Sequence, residues 1–201
     1  MEVNRRTQEE RRATTRAALV AAARDLFAAR GYGDVGTEEI VRKAGVTRGA
    51  LYHHFADKAE LFEAVFESVE GELADGLVGA VATIGDAGPV EIMRRSADAW
   101  LEACLDPAVQ RVVLLDGPAV LGYEQWRAIT TQGGFGLVTG LLQAAVDEGL
   151  VRPQPLDPLA HILVGALDEA ALYVARSDDP ARARVEAMAV LDQMLDGITT
   201  S

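Results

Sequence analysis

Apolar residues recur along this chain with a helical period, and the runs are separated by capping residues and breakers. Leu19, Ala23, Leu26 and Phe27 fall at i, i+4, i+7 and i+8, one stripe of a first helix that Gly31 ends. Thr37 reads as the N-cap of the next helix. Glu38 and Glu39 sit in its first turn, where the helix dipole favours anions, and Ile40, Val41 and Ala44 turn inward. Gly45 suits the left-handed residue that closes such a helix. Thr47 caps another, from Arg48 to about Phe55. Asp57 caps a further one, with Glu60 three residues on to complete a capping box. Two helices joined by a tight, Gly-containing turn are the sequence form of a helix-turn-helix.

The helix from Asp57 is expected to run to about Ile84, softened by Gly71, Gly76 and Gly79, each costing up to about 1 kcal/mol relative to Ala. Gly85 to Pro89 is a break, and five helices are expected beyond it. Pro89–Leu105 is amphipathic, and Asp106-Pro107 starts a helix ending near Gly117-Pro118. The pattern from Pro118 to Glu148 is loosened by glycines and breaks near Gly133. Asp157 then caps a helix with Pro158 in its first position, and Asp179-Pro180 repeats the device. The last two helices are apolar over more than one stripe, so each must bury a second face on something else.

The expectation is therefore an all-α chain of about nine helices. A three-helix helix-turn-helix domain occupies residues 1–60, with a basic arm over 1–14, and a larger helical domain occupies residues 61–201.

Composition narrows the class. Hydrophobic content of 49% with 25% charged residues is that of a globular protein with a real core. One cysteine, Cys104, allows no internal disulfide and fits a reducing cytoplasm. The first residues lack the apolar stretch of a signal peptide, and the apolar runs fall well short of about 20 residues, so no membrane span or membrane partner is expected.

Net charge is −12, which argues against nucleic acid until its distribution is read. Residues 1–60 hold eleven Lys and Arg against nine Asp and Glu, a net of +2; the remainder holds eight against twenty-two, a net of −14. One end is suited to phosphates and the other is repelled by them. Asn4–Arg16 alone has five arginines, of which Arg5, Arg6, Arg11 and Arg12 are candidates for a phosphate track or a minor groove; a plain basic tail fits the same residues. Thr7 and Glu10 match a capping box there.

The helix from Arg48 carries the chemistry. Leu51 and Phe55 lie on one side; Gly49, Tyr52 and His53 lie roughly opposite, with Arg48 at the helix start. A cation, a residue without a side chain, a phenol and an imidazole suit close backbone approach and hydrogen bonds to phosphates and base edges. The same periodicity also fits an amphipathic helix with an ordinary solvated face.

The run Gly31-Tyr32, Thr37, Ile40, Ala44-Gly45-Val46-Thr47-Arg48-Gly49, Leu51-Tyr52, His54-Phe55, Lys58 and Leu61-Phe62 resembles the DNA-binding domain of the tetracycline-repressor (TetR) family, over roughly Thr15 to Phe66. That resemblance implies a dimeric, ligand-responsive regulator, most simply a repressor, on a palindromic double-stranded DNA operator. Thr37, Tyr52, His54 and Lys58 match family positions that hold phosphates; Arg48, Gly49, Ala50 and His53 match those nearest the bases, and Thr47 joins them at the interface. His53 stands where the family often has another aromatic residue, which leaves open whether it meets a base or a phosphate.

The resemblance further implies an effector pocket in the body and a four-helix dimer bundle from the last two helices. Candidate pocket residues are Met93, Trp100, Cys104, Tyr123, Trp126 and Phe135. Candidate dimer residues are Leu159, Ile162, Ala166, Ala170, Tyr173, Val185, Met188, Leu191 and Leu195. The effector is an unknown small molecule.

Enzyme readings find little support. G-x-S-x-G, H-E-x-x-H, Walker A and EF-hand patterns do not occur. His53 and His54 are adjacent and point about 100° apart, so they do not chelate one metal; no metal or cofactor is expected. His161 reads as a packed or interface histidine. A helical partner-binding protein and an enzyme housed in the body cavity are the rival classes.

Overall fold

A computed structural model describes residues 8–83, 85–131 and 134–200. The expected capping box at Thr7 and most of the arm over 1–14 lie outside these residues; what is described of the arm, from Gln8, is already helical.

Three helices and the start of a fourth form the N-terminal unit: α1 (Gln8–Arg30), α2 (Thr37–Ala44), α3 (Arg48–His54) and α4 (Lys58–Ala82). Leu19, Ala23 and Phe27 of α1 are fully buried, as their spacing predicts, against Ile40, Leu51, Phe55, Leu61 and Phe62. Phe27, Tyr32 and Phe62 form an aromatic cluster with ring centroids 5.2 to 5.7 Å apart, a spacing at which edge and tilted contacts are favourable.

The caps explain where each helix stops. Gly45 takes φ +68° and its N–H reaches back to the Arg42 and Val41 carbonyls. Thr47 accepts from Ala50 N at 3.2 Å. Asp57 accepts from Glu60 N at 2.9 Å, while Glu60 reaches back to Ala56 N at 2.5 Å, one residue earlier than the standard capping box.

Thr37 does not cap α2, although its position and type predict that it would. It is the first residue of α2, Gly36 occupies the N-cap, and no side chain caps the helix. Its hydroxyl is engaged elsewhere, on Tyr52.

α4 runs unbroken through Gly71, Gly76 and Gly79 and carries the chain from the N-terminal unit into the body, so the expected boundary at residue 60 falls inside its first turn. The body continues with α5 (Pro89–Ala103), a π-helical segment (Val109–Asp116), α6 (Gly117–Leu121), α7 (Tyr123–Thr131), α8 (Gly134–Asp147), α9 (Leu156–Ala175) and α10 (Pro180–Ile198). Among the described residues this makes ten α-helices and one π-helical segment, and the only strand-like feature is an isolated bridge pairing Val151 with Thr199.

Gly117-Pro118 does not end a helix as expected. Proline lacks the N–H that a continuing α-helix needs. Here the wider π turns run up to it, and Pro118 falls at the start of α6, where that N–H is not required. Gly117 is also a close packing point: a Cβ there would stand 3.0 Å from Phe66, Trp126 and the Val112 carbonyl. The actual break comes at Gly122, at φ +84°.

α9 likewise begins at Leu156 with Pro155 before it, so Asp157 lies in the first turn rather than capping it. Asp179 does cap α10, accepting from Arg182 N at 3.1 Å.

The 20 residues of α9 are long and apolar enough to cross a membrane, which the count of uninterrupted apolar runs had missed because charged residues punctuate them. Its mid-helix Asp168 pairs with Arg127, and the helix packs against α8, α10 and the π-helical segment as a member of the bundle.

Candidate nucleic-acid interface

α3 is held by one buried side chain and a buried neighbour. Leu51 is fully buried and Phe55, just past the helix end, is 2% exposed. Arg48, Gly49, Tyr52 and His53 are exposed and Ala50 and His54 half-exposed, so the described face of the helix is presented outward.

The outward side chains are pre-arranged among themselves. Arg48 Nη1 bonds Glu38 Oε1 of α2 at 2.8 Å, and its guanidinium lies 5.6 Å from the centre of the Tyr52 ring. The Tyr52 hydroxyl is hydrogen-bonded to Thr37 and to Arg48, which holds its pKa below the usual phenol value. Thr37, Arg48 and Tyr52 are therefore one polar network across the two helices. Glu38 belongs to it, though the sequence alone flagged it only as a first-turn anion.

The far end of α3 meets the start of α1. Gln8, Glu9, Arg11, Arg12 and Thr15 face His53 and His54 across an open groove of about 530 Å³. The two imidazoles are edge to face, 5.6 Å apart, and Arg16 lies 5.2 Å from the Phe55 ring centre. Burial lowers the pKa of His54, and the positive charges of His53, Arg12 and Arg16 lower it further. A groove whose cations depress a neighbouring histidine is electrostatically suited to an anion.

Lys58, the first residue of α4, is tied to the α1–α2 loop. Its ammonium donates to the Tyr32 and Val35 carbonyls at 2.8 and 3.1 Å and lies 3.9 Å from the Tyr32 ring centre, so two of its three N–H groups hold the α1–α2 loop.

The six body residues singled out as a pocket are spread over two cores and the surface. Met93 is buried in a second, smaller core beside Phe135, whose ring stacks edge-on against His161 at 4.4 Å. Trp126 and Cys104 are buried in the main core, and Trp126 Nε1 donates to the Val113 carbonyl at 2.8 Å. Tyr123 is 62% exposed. The Cys104 thiol is pushed up to about 12 by burial and by the charges of Asp168 and Glu70, which keeps it protonated.

The nine candidate dimer residues divide in the same way. On α9, Ile162, Ala166, Ala170 and Tyr173 share an arc of about 80°, opposite the buried Ala160, Val164, Ala171 and Val174, while Leu159 is half-buried in the smaller core. Ile162 and Tyr173 are 62% and 52% exposed. On α10, Val185 is exposed and Met188 half-buried, but Leu191 and Leu195 face the chain's own core; Val190 and Met194 are exposed apolar residues that were not singled out. The described residues hold no group of three or more His, Cys, Asp or Glu placed to bind a metal.

Comparison with known proteins agrees with this architecture. Residues 19–65 match the family model of bacterial regulatory proteins of the tetR family, and residues 90–198 match the tetracyclin repressor-like C-terminal domain. A crystal structure of a TetR-family transcriptional regulator from Pectobacterium atrosepticum is 34% identical, with 98% of this chain and 99% of that one covered and a TM-score of 0.80. The HTH-type transcriptional regulator TtgR of Pseudomonas putida is 38% identical over 109 residues, which span about half of each protein, 54% of this chain and 51% of the relative. RolR, solved in complex with the ligand resorcinol, shares the fold at a TM-score of 0.65 and 23% identity, with 93% and 90% covered. The family, the Pectobacterium protein and TtgR are regulators of transcription, not enzymes. With both family models matched in chain order and a full-length structural relative, the chain belongs to the TetR family of DNA-binding transcriptional regulators.

Proposed function

We propose that this regulator is a repressor that binds a palindromic operator as a homodimer and leaves it when a small molecule occupies the body. The observation that carries the reading is the outward face of α3, supported by a buried Leu51 on the other side. Arg48, Gly49, Ala50 and His53 lie nearest the bases, and Thr37, Thr47, Tyr52, His54 and the third N–H of Lys58 meet phosphates. Gly49 has no side chain to read a base, so discrimination rests on Arg48, on Tyr52 against a thymine methyl, and on DNA shape.

One seven-residue helix gives little discrimination alone, and a two-fold dimer reads two half-sites. Ile162 and Tyr173 of α9 support such a partner surface, because they are apolar and more than half exposed, while Ala166 and Ala170 between them are half-buried against the chain's own core. Residues up to about 60 form the DNA-binding part and the remainder serves effector binding and dimerisation, with α4 joining the two. That RolR binds resorcinol supports a small-molecule effector here.

The test is binding of the DNA flanking the protein's own coding region, titrated with salt. A log-log slope of several units with protection of two symmetric half-sites is the expected result; binding indifferent to salt, or a stable monomer on a single half-site, overturns it.

A further inference from the structure

We propose that the interior between α4, α5 and the π-helical segment is a site for a small organic cation that also carries an oxygen. Glu70 takes the positive charge, and the indole N–H of Trp100 and the amide of Gln110 take the oxygen. This deepens, and rests on, the reading of the chain as a ligand-released regulator.

Several polar atoms in this interior have nothing to bond. Glu70 Oε2, Ser96 Oγ, Trp100 Nε1 and Gln110 Nε2 are buried and make no hydrogen bond. Native interiors rarely leave such groups unsatisfied, and each one calls for an explanation. These four come from three elements, α4, α5 and the π-helical segment, and α4 packs against both of the others.

Two of them lie on one stripe of α5. Ser96 and Trp100 are one turn apart on α5, and Cys104 follows one turn further on the same stripe. The Cys104 thiol feels the negative charges of Asp168 and Glu70, so the Glu70 carboxylate reaches the interior where the α5 stripe ends. Gln110 enters six residues later, as the second residue of the π-helical segment.

The chemistry of the four fixes the class of ligand. Trp100 can only donate, the Gln110 nitrogen only donates, and Ser96 does either. Glu70 is the one acceptor with a charge. Donors and acceptor are complementary yet do not satisfy one another, which is the arrangement expected if a third body bridges them. Of the two carboxylates whose charges act on Cys104, Asp168 is paired with Arg127, whereas Glu70 has no ion-pair partner among the described residues. Burial raises the pKa of Glu70, as expected for a carboxylate that lacks a cation. An anionic ligand would meet these two acids, and a wholly apolar one would leave all four atoms unbonded. A cation with an oxygen at its other end satisfies Glu70, Trp100 and Gln110 together.

The test uses three probes of one shape: tyramine, a cation; tyrosol, its neutral alcohol; and hydroxyphenylacetate, an anion. Binding to the full-length protein is read by tryptophan fluorescence and by the shift in Tm. Tyramine is expected to bind and raise Tm, with the other two at least about tenfold weaker, the order of one desolvated charge-assisted hydrogen bond. Glu70→Gln should abolish the preference for tyramine, and should raise the Tm of the protein without probe because a lone buried charge is removed.

Trp100→Phe and Gln110→Leu each keep the charge preference but lose the advantage of tyramine over phenethylamine, which lacks the hydroxyl. These two variants also decide the matter if Glu70→Gln does not fold. Equal binding of tyrosol and tyramine, no binding of any probe, or unchanged selectivity in the variants overturns the site. Tyramine binding that needs Glu70 but leaves operator DNA bound upholds the site and overturns ligand release. DNA release by some other compound, indifferent to Glu70, does the reverse.

Discussion

The backbone N–H of Tyr32 donates to Asp116 Oδ2 at 2.7 Å, joining the loop between α1 and α2 to the last residue of the π-helical segment. The carbonyl of the same residue accepts from Lys58, so Tyr32 is held from the body on one side and from α4 on the other. Arg111, 3.4 Å from the same Asp116 oxygen, lies over Gly31, where a Cβ would come within 2.2 Å of its guanidinium and where φ is +83°. The DNA-binding unit is thus latched to the body at Gly31 and Tyr32, and a side chain at the first position would displace the Arg111 guanidinium and strain the backbone.

Asp116→Ala should lower stability by about 1–3 kcal/mol, since it leaves the half-buried Tyr32 N–H without its acceptor. Asp116→Asn keeps an acceptor oxygen and should lose less. Urea unfolding of the two variants checks this, and equal losses would show that the charge near Arg111, not the Tyr32 bond, is what matters.

Thr47 and Thr37 look alike in sequence and should behave differently. Thr47→Ala removes a real N-cap and should cost about 1 kcal/mol. Thr37→Ala removes no cap and should leave the melting curve nearly unchanged while weakening DNA binding through Tyr52. A Thr37 variant that loses as much stability as the Thr47 variant contradicts this division.

Arg48→Ala should blur preference at one or two base pairs by about 1–3 kcal/mol and leave random DNA bound nearly as before. Its exposed ion pair with Glu38 contributes little to stability, so the melting curve should not move. Equal losses on operator and random DNA rule out base reading by this residue.

His54 links both properties to pH. Its pKa is lowered from 6.5 in the folded protein, first by burial and then by His53, Arg12 and Arg16, so the neutral form is the one the fold favours. Its contribution to stability is present above 6.5 and lost as pH falls through that value toward the lowered one. A phosphate beside the ring reverses the preference. Operator affinity should therefore rise from about pH 7.5 to about pH 6 while the free protein becomes less stable, and His54→Gln should flatten both trends. Affinity that does not change with pH in the unaltered protein counts against a phosphate at His54.

Ile162→Glu should give a monomer that keeps its helix content, because Ile162 is 62% exposed within the chain. Leu191→Ala should instead unfold the chain more readily, by about 2–5 kcal/mol, because Leu191 faces the chain's own core at 8% exposure. Sedimentation and denaturant titration separate the two. A dimeric Ile162→Glu protein removes this face of α9 from the interface.

What was legible in the sequence was what is local. Gly45, Thr47, Asp57 and Asp179 terminate helices through bonds to residues three or four positions away, and the stripe Leu19–Ala23–Phe27 is periodic within one helix. Where a distant residue decides, the pattern misled or stayed silent. Thr37 had the right type for a cap but is drawn to Tyr52 on the next helix. Pro118 reads as a stop because an α-helix has no place for it, and nothing in the residues announces the π turns that accommodate it. Leu191 and Ile162 are equally apolar in helices with two greasy sides, so period alone could not say which side the chain covers itself. Trp100 and Trp126 were grouped as pocket residues on type, yet Trp126 has its N–H bonded to Val113 and Trp100 does not.

The π-helical segment has a consequence for kinship. Such a stretch is an α-helix that has gained one residue, so a homologue one position shorter between Asp106 and Gly122 would wind there as an ordinary helix. Side chains past the deletion would be turned by about 100°, carrying the counterpart of Asp116 away from the loop it now grips. A relative one residue shorter in this stretch would therefore have to fasten its two halves by other means.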